Sequence, residues 1–282
     1  MNAIADSDAV LQIEKIFSQH HAAIQLLLSR MADKRIQSFA WLDLACGKGQ
    51  IIGQLAENVP PEVRAKITYV GFDLSINHGR IAQKLAADLK FSGHRIEYGE
   101  IGKFSKILED QNFDFVTLIN TVHEIAVSRF PQLLFDAIAS LSSRGILFVY
   151  DMEKLSPQEL GAFPWRSHEI QEIIDACFGA LNRSDCVPLV SSWIHSRTRG
   201  WSFSLEREYL DYNAAEFVSL REQAISAMSA KIREIVVKRQ GICEAALQAL
   251  SENGMGTDEE ARERDNLLYE HWAVAYALRG LK

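Results

Sequence analysis

The chain alternates compact apolar runs with stretches whose apolar residues recur at helical spacing. Phe39 to Leu44 (FAWLDL) reads as a buried strand, and Gln50 to Glu57 continues as a helix. Ala65 to Phe72 (AKITYVGF) is β-branched and aromatic, which predicts a second strand; Asn77 to Leu89 then predicts a second helix. Arg95 to Glu100 alternates as a strand, Phe104 to Glu109 fits a short helix, and Phe113 to Asn120 (FDFVTLIN) is another buried strand. Pro131 suits the first turn of a helix reaching about Leu141, Gly145 breaks that helix, and Ile146 to Tyr150 forms a fifth strand. Five strands separated by helices imply a parallel, doubly wound α/β sheet.

The rhythm then changes. Ser167 as N-cap with Glu169 in the first turn starts a helix that runs to about Leu181. Val187 to His195 and Trp201 to Tyr209, joined by SRTRG, form a hairpin signal. Both flanks are helical. Residues 8 to 32 place Val10, Leu11, Ile13, Ile16, Phe17, Ile24, Leu27 and Leu28 at helical spacing. Residues 213 to 282 predict two or three helices interrupted by ENGMG at 252 to 256, with Thr257 and Glu260 as a capping box. The organisation expected is a helical segment over 1–38, a ligand-binding α/β domain over 39–212 and a helical extension over 213–282. The flanks pack on the core or form an interface between two copies; the sharper alternative is a lid.

With 282 residues and 48% hydrophobic content, the chain can build a full core. A net charge of −7 argues against a broadly basic nucleic-acid surface. The four cysteines have neither CxxC pairing nor zinc spacing, and the acidic start MNAIADSDAV is unlike a signal peptide. A reduced, cytoplasmic setting is expected. No apolar run approaches the roughly 18 to 20 residues that span a bilayer, so no membrane partner is expected.

The candidate chemistry starts where the first strand ends. Asp43, Ala45, Gly47 and Gly49 give the spacing acid, x, small, x, Gly, x, Gly between a strand and a helix. Glycine lets backbone N–H groups approach a ligand at the helix start. A dinucleotide GxGxxG fingerprint beginning at Gly47 would need a small residue at Ile52, although Gly53 permits GxGxxxG; a nicotinamide-binding oxidoreductase therefore stays as an alternative. A tight turn with no ligand is the bland reading.

This turn resembles the first motif of class I S-adenosylmethionine (AdoMet)-dependent methyltransferases, and the five parallel strands followed by a hairpin are similar to that family's seven-stranded sheet. The family usually carries Gly at Ala45, whose methyl would be accommodated with a negative φ. The resemblance covers roughly residues 39 to 210. It implies AdoMet as cofactor, with the loop Asp43, Ala45, Cys46, Gly47 and Gly49 at its methionine end. Asp73, 24 residues after Gly49, matches the offset of an acid that accepts from ribose hydroxyls. Leu74 follows it. Glu100 and Ile101 would meet the adenine edge, and Asn120 would border the cofactor.

The segment Asn120 to Glu124 after the fourth strand is where the family borders both cofactor and acceptor. His123 is the best candidate for a general base, since its pKa suits proton removal near neutral pH, though a histidine here equally suits cofactor contact or packing. Glu124 and Asp151 are the alternatives for base or acceptor contact. Asn120 and Asp151 lack a third oxygen ligand, so no metal is expected. The fourth strand lacks the Asp/Asn-Pro-Pro-Tyr/Phe ending of enzymes that methylate a flipped base. The turn WIHSRTRGW interleaves Trp193, His195, Arg197, Arg199 and Trp201, which suits nucleic-acid stacking or, more simply, an exposed hairpin. The expected activity is methyl transfer to an acceptor, a small molecule before RNA or protein; a methyltransferase-like scaffold without turnover is the non-enzymatic alternative.

Overall fold

The computed structural model describes residues 13–33, 35–109, 111–155, 158–195, 198–253 and 257–281. Val10, Leu11, Arg197 and the Gly-Met-Gly of ENGMG lie outside them. Seven strands form one sheet: β1 (Phe39–Leu44), β2 (Ile67–Asp73), β3 (Gly93–Tyr98), β4 (Phe113–Ile119), β5 (Leu141–Met152), β6 (Ser191–His195) and β7 (Thr198–Glu206), in the order β3-β2-β1-β4-β5-β7-β6. The first five pair in parallel, and β6 with β7 antiparallel. This is the doubly wound, mostly parallel sheet with a terminal hairpin that the alternation of apolar runs predicts.

The helices of six residues or more are α1 (Ile13–Met31), α2 (Gln50–Asn58), α3 (Ile76–Asp88), α4 (Phe130–Ala139), α5 (Ser167–Ala180), α6 (Ala214–Ser219), α7 (Arg221–Asn253) and α8 (Asp258–Gly280), with single turns at Pro61–Arg64 and Phe104–Ile107. The capping box expected before α8 is present: the Glu260 N–H donates to Thr257 Oγ1 at 3.2 Å and the Thr257 N–H to Glu260 Oε2 at 2.9 Å. No helix among the described residues is long and apolar enough to cross a membrane.

Two compact units divide the chain. The first holds the described residues of Met1–Ile119 with Asp136–Tyr150 and Phe203–Asp211; the second holds Asn120–Phe135, Asp151–Ser202 and the described residues of Tyr212–Lys282. In the first unit, Trp41, Tyr69, Phe72 and Phe115 are fully buried, and Trp41 meets Tyr69 edge-on at 5.2 Å between centroids. Ile24 and Leu27 of α1 are buried as well. In the second unit, Phe135 stacks on Phe217 at 4.5 Å and Phe163 meets Trp165 at 4.6 Å.

Three local expectations need correction. Gly145 does not end a helix, because β5 already begins at Leu141 and Gly145 lies inside it. A Cβ there would come within 2.5 Å of the Phe113 carbonyl oxygen, at the register irregularity between β4 and β5, so close backbone approach explains the glycine. Ser167 is the first residue of α5, not its cap; Arg166 precedes the helix, and its N–H donates to the Glu169 carboxylate at 2.9 Å. Thr198, Arg199 and Gly200 belong to β7 and not to the hairpin turn, since each faces a residue of β6.

Candidate active site

In an open parallel sheet, functional side chains collect at the carboxyl ends of the strands. At the end of β1, Asp43 is buried at 3% exposure. Its Oδ2 accepts from Tyr69 Oη at 2.9 Å and its Oδ1 from Thr117 Oγ1 at 2.8 Å, and Thr117 in turn accepts from Trp41 Nε1 at 2.9 Å. Neighbouring strands β1, β2 and β4 are thus joined through one carboxylate. Burial pushes Asp43 up to about 7; the hydrogen bonds from Thr117 and Tyr69 oppose this, and nearby Asp73 adds to it. Both oxygens already serve the protein, so Asp43 supports the loop from behind.

The loop beyond it is built on left-handed backbone. Gly47 and Gly49 have φ of 54° and 85°, and Ala45 has φ of 56°. The condition for easy accommodation of the Ala45 methyl, a negative φ, is not met: the methyl sits in a region that disfavours any Cβ by about 1–2 kcal/mol. At Gly49 a Cβ would press against Ala82 of α3 at 3.2 Å, so positive φ and tight packing both require glycine there. Cys46 is buried, and burial beside Asp43 and Asp73 drives its thiol far above the usual range, which removes it as a nucleophile.

Asp73 at the end of β2 ties this loop to the start of α3. Its Oδ2 accepts from the Gly47 N–H at 2.8 Å and its Oδ1 from the Ser75 N–H at 2.7 Å. Each oxygen keeps a second lone pair for a ligand hydroxyl. Next to it Leu74 is 75% exposed, a large apolar side chain beside a polar cradle. Glu100 precedes the short turn Ile101–Lys103 and forms an ion pair with Lys103 at 3.1 Å. Asp43, Ala45, Cys46, Gly47, Gly49, Asp73, Leu74, Glu100 and Ile101 all belong to the first unit.

The second unit begins with Asn120, itself left-handed at φ 53°. Asparagine tolerates this conformation. The chain then enters a single turn, Val122–Glu124, with His123 buried and Glu124 exposed. Asp151, 1% exposed near the end of β5, grips His123 twice: its Oδ2 accepts from the His123 N–H at 2.8 Å, and its Oδ1 lies 2.6 Å from Nδ1. The Met152 N–H donates to Oδ1 as well, at 2.7 Å. A carboxylate with these partners requires Nδ1 to carry the proton, which leaves Nε2 as the acceptor nitrogen.

Nε2 is 3.5 Å from Glu159 Oε2 and 3.9 Å from Glu124 Oε1. Burial lowers the His123 pKa, but the Asp151 hydrogen bond and charge, followed by Glu124 and Glu159, outweigh it, and the net shift is upward. His123, Glu124 and Asp151, separate candidates in the sequence, thus converge on one imidazole. Glu159 was not foreseen: it sits in the irregular segment after β5, where no periodicity marks it. His123, Glu124 and Glu159 offer ligand atoms within 4.8 Å of one another. Neither carboxylate lies within hydrogen-bond distance of Nε2.

A family model described as a methyltransferase domain matches residues 37–186. No curated protein matches by sequence. Among solved structures, the CurJ carbon methyltransferase is 14% identical with a TM-score of 0.51, covering 72% of this chain and 56% of that one. The magnesium protoporphyrin IX methyltransferase (ChlM) from Synechocystis PCC 6803 with bound SAH is 13% identical with a TM-score of 0.48, covering 67% of this chain and 82% of that one. A SAM-dependent methyltransferase from Aquifex aeolicus is 16% identical with a TM-score of 0.42, covering 64% and 88%. The CurJ likeness concerns the fold.

Two measurements test the loop. Ala45→Gly relieves left-handed strain and is expected to raise stability by about 1 kcal/mol in urea unfolding; a loss of stability would contradict the strain. Asp43 binds its proton more tightly folded than unfolded, so its contribution to stability falls as pH rises from about 4 and is fully lost above about 7. Asp43→Asn removes this dependence: its stability relative to the wild type should climb between those values and then level off. A pH-independent difference would show that Asp43 is ionised throughout.

Proposed function

We propose, for a chain that belongs to the methyltransferase-domain family, that His123 held by Asp151 removes the proton from a small-molecule acceptor during methyl transfer. The protein is an S-adenosylmethionine-dependent methyltransferase, with AdoMet as its cofactor. The observation that carries the proposal is the double grip of a buried carboxylate on one histidine. It fixes the tautomer and turns Nε2 into a directed base.

AdoMet, when bound, supplies a methyl group activated by its sulfonium charge. The residues of the first unit fit it. The backbone of Ala45, Cys46, Gly47 and Gly49 would face its methionine end, and Asp73 would use its remaining lone pairs on the ribose hydroxyls. Leu74, Glu100 and Ile101 would meet the adenine. The left-handed loop and its close approach to α3 support this assignment, as a Cβ at Gly49 would be both strained and crowded.

Little remains for the protein beyond alignment and proton removal. His123 Nε2 accepts the acceptor's proton, and Asp151 holds the imidazolium that forms. Glu124 and Glu159 stabilise the same charge from the other side of the ring. The acidic balance of the chain supports a small molecule over RNA. A cytoplasmic setting agrees with the free cysteines. An exposed row of Leu268, Trp272 and Tyr276 on α8 supports pairing of two copies through the helical extension.

The test is the transfer of labelled methyl from AdoMet to the low-molecular-mass fraction of a cell extract, followed against pH. A base must be deprotonated, so the wild-type rate should rise with pH through a His123 pKa above the ordinary 6.5. His123→Gln should lose this limb and about 10²–10⁴-fold in rate. Asp151→Asn should move the limb to lower pH, because the lost carboxylate no longer supports the imidazolium. Chelation by EDTA should change nothing. A His123→Gln profile that follows the wild type overturns the assignment, and loss of transfer on chelation would give the cluster to a metal instead.

A further inference from the structure

Helix α8 has two faces of different character. At about 100° per residue, Ala273, Val274 and Ala277 fall on one side, where all three are buried, and α8 packs on α7 within the second unit. On the same side Asn266, Glu270 and Ala273 line a cavity of about 750 Å³ whose wall Arg239 of α7 shares. Glu270 Oε1 accepts from Arg166 Nη2 and from Arg239 Nη2, each at 2.8 Å. This inner face is committed within the chain.

The opposite face is apolar and exposed. Leu268, Trp272 and Tyr276 follow one another at four-residue spacing with 44%, 37% and 54% of their surface open. The rings of Trp272 and Tyr276 stack at 5.6 Å between centroids, and Tyr269 lies 6.4 Å from Trp272. Single exposed apolar residues need no explanation, but a joined apolar strip on one helix face marks a contact surface.

The ends of the strip indicate what covers it. Asp265 stands seven residues before Trp272 and Arg279 seven after it, and both are exposed. All five side chains fall within about 80° around the helix axis. Neither Asp265 nor Arg279 belongs to an ion pair among the described residues; Arg279 donates to the Ala275 carbonyl of its own helix at 3.4 Å. The intervals from Asp265 through Leu268, Trp272 and Tyr276 to Arg279 are 3, 4, 4 and 3 residues, so the spacing reads the same in both directions about Trp272 while the charge reverses. Such a strip is complementary to a copy of itself turned end over end. In a parallel arrangement it would instead set acid against acid and base against base, which like-charge repulsion disfavours.

We propose that α8 is the seam of a two-fold homodimer and packs antiparallel on α8 of a second copy, with the axis at Trp272. Leu268 then meets the partner's Tyr276, and Asp265 meets the partner's Arg279. The proposal deepens the reading that two copies pair through the helical extension, and rests on it. Burial of the apolar strip drives association, and the two exposed ion pairs set direction more than strength. At about 1.5 Å per residue the strip is about 21 Å long, less than a standard-size interface needs, so the dimer should be reversible with a Kd of about 1–100 μM.

Sedimentation equilibrium of the full chain between about 1 and 200 μM reads this directly, with far-UV circular dichroism as the check that each variant is folded. The wild type should show a monomer–dimer equilibrium. Tyr276→Glu should abolish it, since the new acid faces the partner's Leu268. Asp265→Arg and Arg279→Asp should each weaken self-association about tenfold or more, because each turns both ion pairs into repulsions. An equimolar mixture of these two variants should recover the wild-type affinity as a heterodimer, in which both pairs are again opposite in charge. A wild type that stays monomeric leaves the strip to another partner and overturns this proposal together with the pairing it rests on. A dimer indifferent to Tyr276→Glu and to both charge variants pairs through another face, which overturns this proposal alone. Single charge variants that dimerise as well as the wild type, or whose mixture does not recover, overturn the antiparallel axis.

Discussion

A carboxylate taken out of water must be given hydrogen-bond donors, and this requirement shapes both ends of the chemistry in this protein. Asp151 meets it by holding the backbone and the ring of one residue, His123, together with the Met152 N–H. The imidazole then has a single orientation and a single tautomer. Asp43 meets the same requirement with Tyr69 and Thr117, and half-buried Asp73 organises its loop by accepting from the N–H groups of Gly47 and Ser75. Each acid stands at or near the carboxyl end of a parallel strand, where the sheet leaves off and loops must be organised. Satisfying the acid and building the loop are one structural event.

The parallel core was legible because its strands are buried on both faces. Phe39–Leu44 reads as an apolar run interrupted only by Asp43 and is β1 to the residue. The start of β5 was not legible, because Ser142, Ser143 and Arg144 look like the end of a helix. They are strand residues at an irregular edge of the pairing with β4, a tertiary fact without a local signal. At Ala45 side-chain size could be read but the sign of φ could not. The loop geometry demanded by Gly47, Gly49 and Asp73 overrides the preference of a single methyl.

The site divides in the same way. His123 and Asp151 are 28 residues apart, yet each follows from the rule that strand ends carry function, because β4 and β5 are parallel neighbours. Glu159 follows from no such rule. Arg239 is a comparable case: it sits within a 33-residue helix of ordinary polar pattern, but it is buried and bound to Glu169, Glu270 and the Pro164 carbonyl. Removing one partner from such a network leaves an uncompensated buried charge, which makes Arg239 a strut of the cavity wall. What α7 and α8 do was thus hidden in long-range pairing, invisible to periodicity.

The central claim is that Asp151 fixes His123 as the tautomer whose Nε2 accepts a proton. Nitrogen-15 NMR of the imidazole, assigned by comparison with His123→Gln, reads this directly. The account predicts a neutral ring protonated at Nδ1 that takes up its second proton at Nε2 with a pKa above the ordinary 6.5. A neutral ring protonated at Nε2, or a pKa below 6.5, would contradict it.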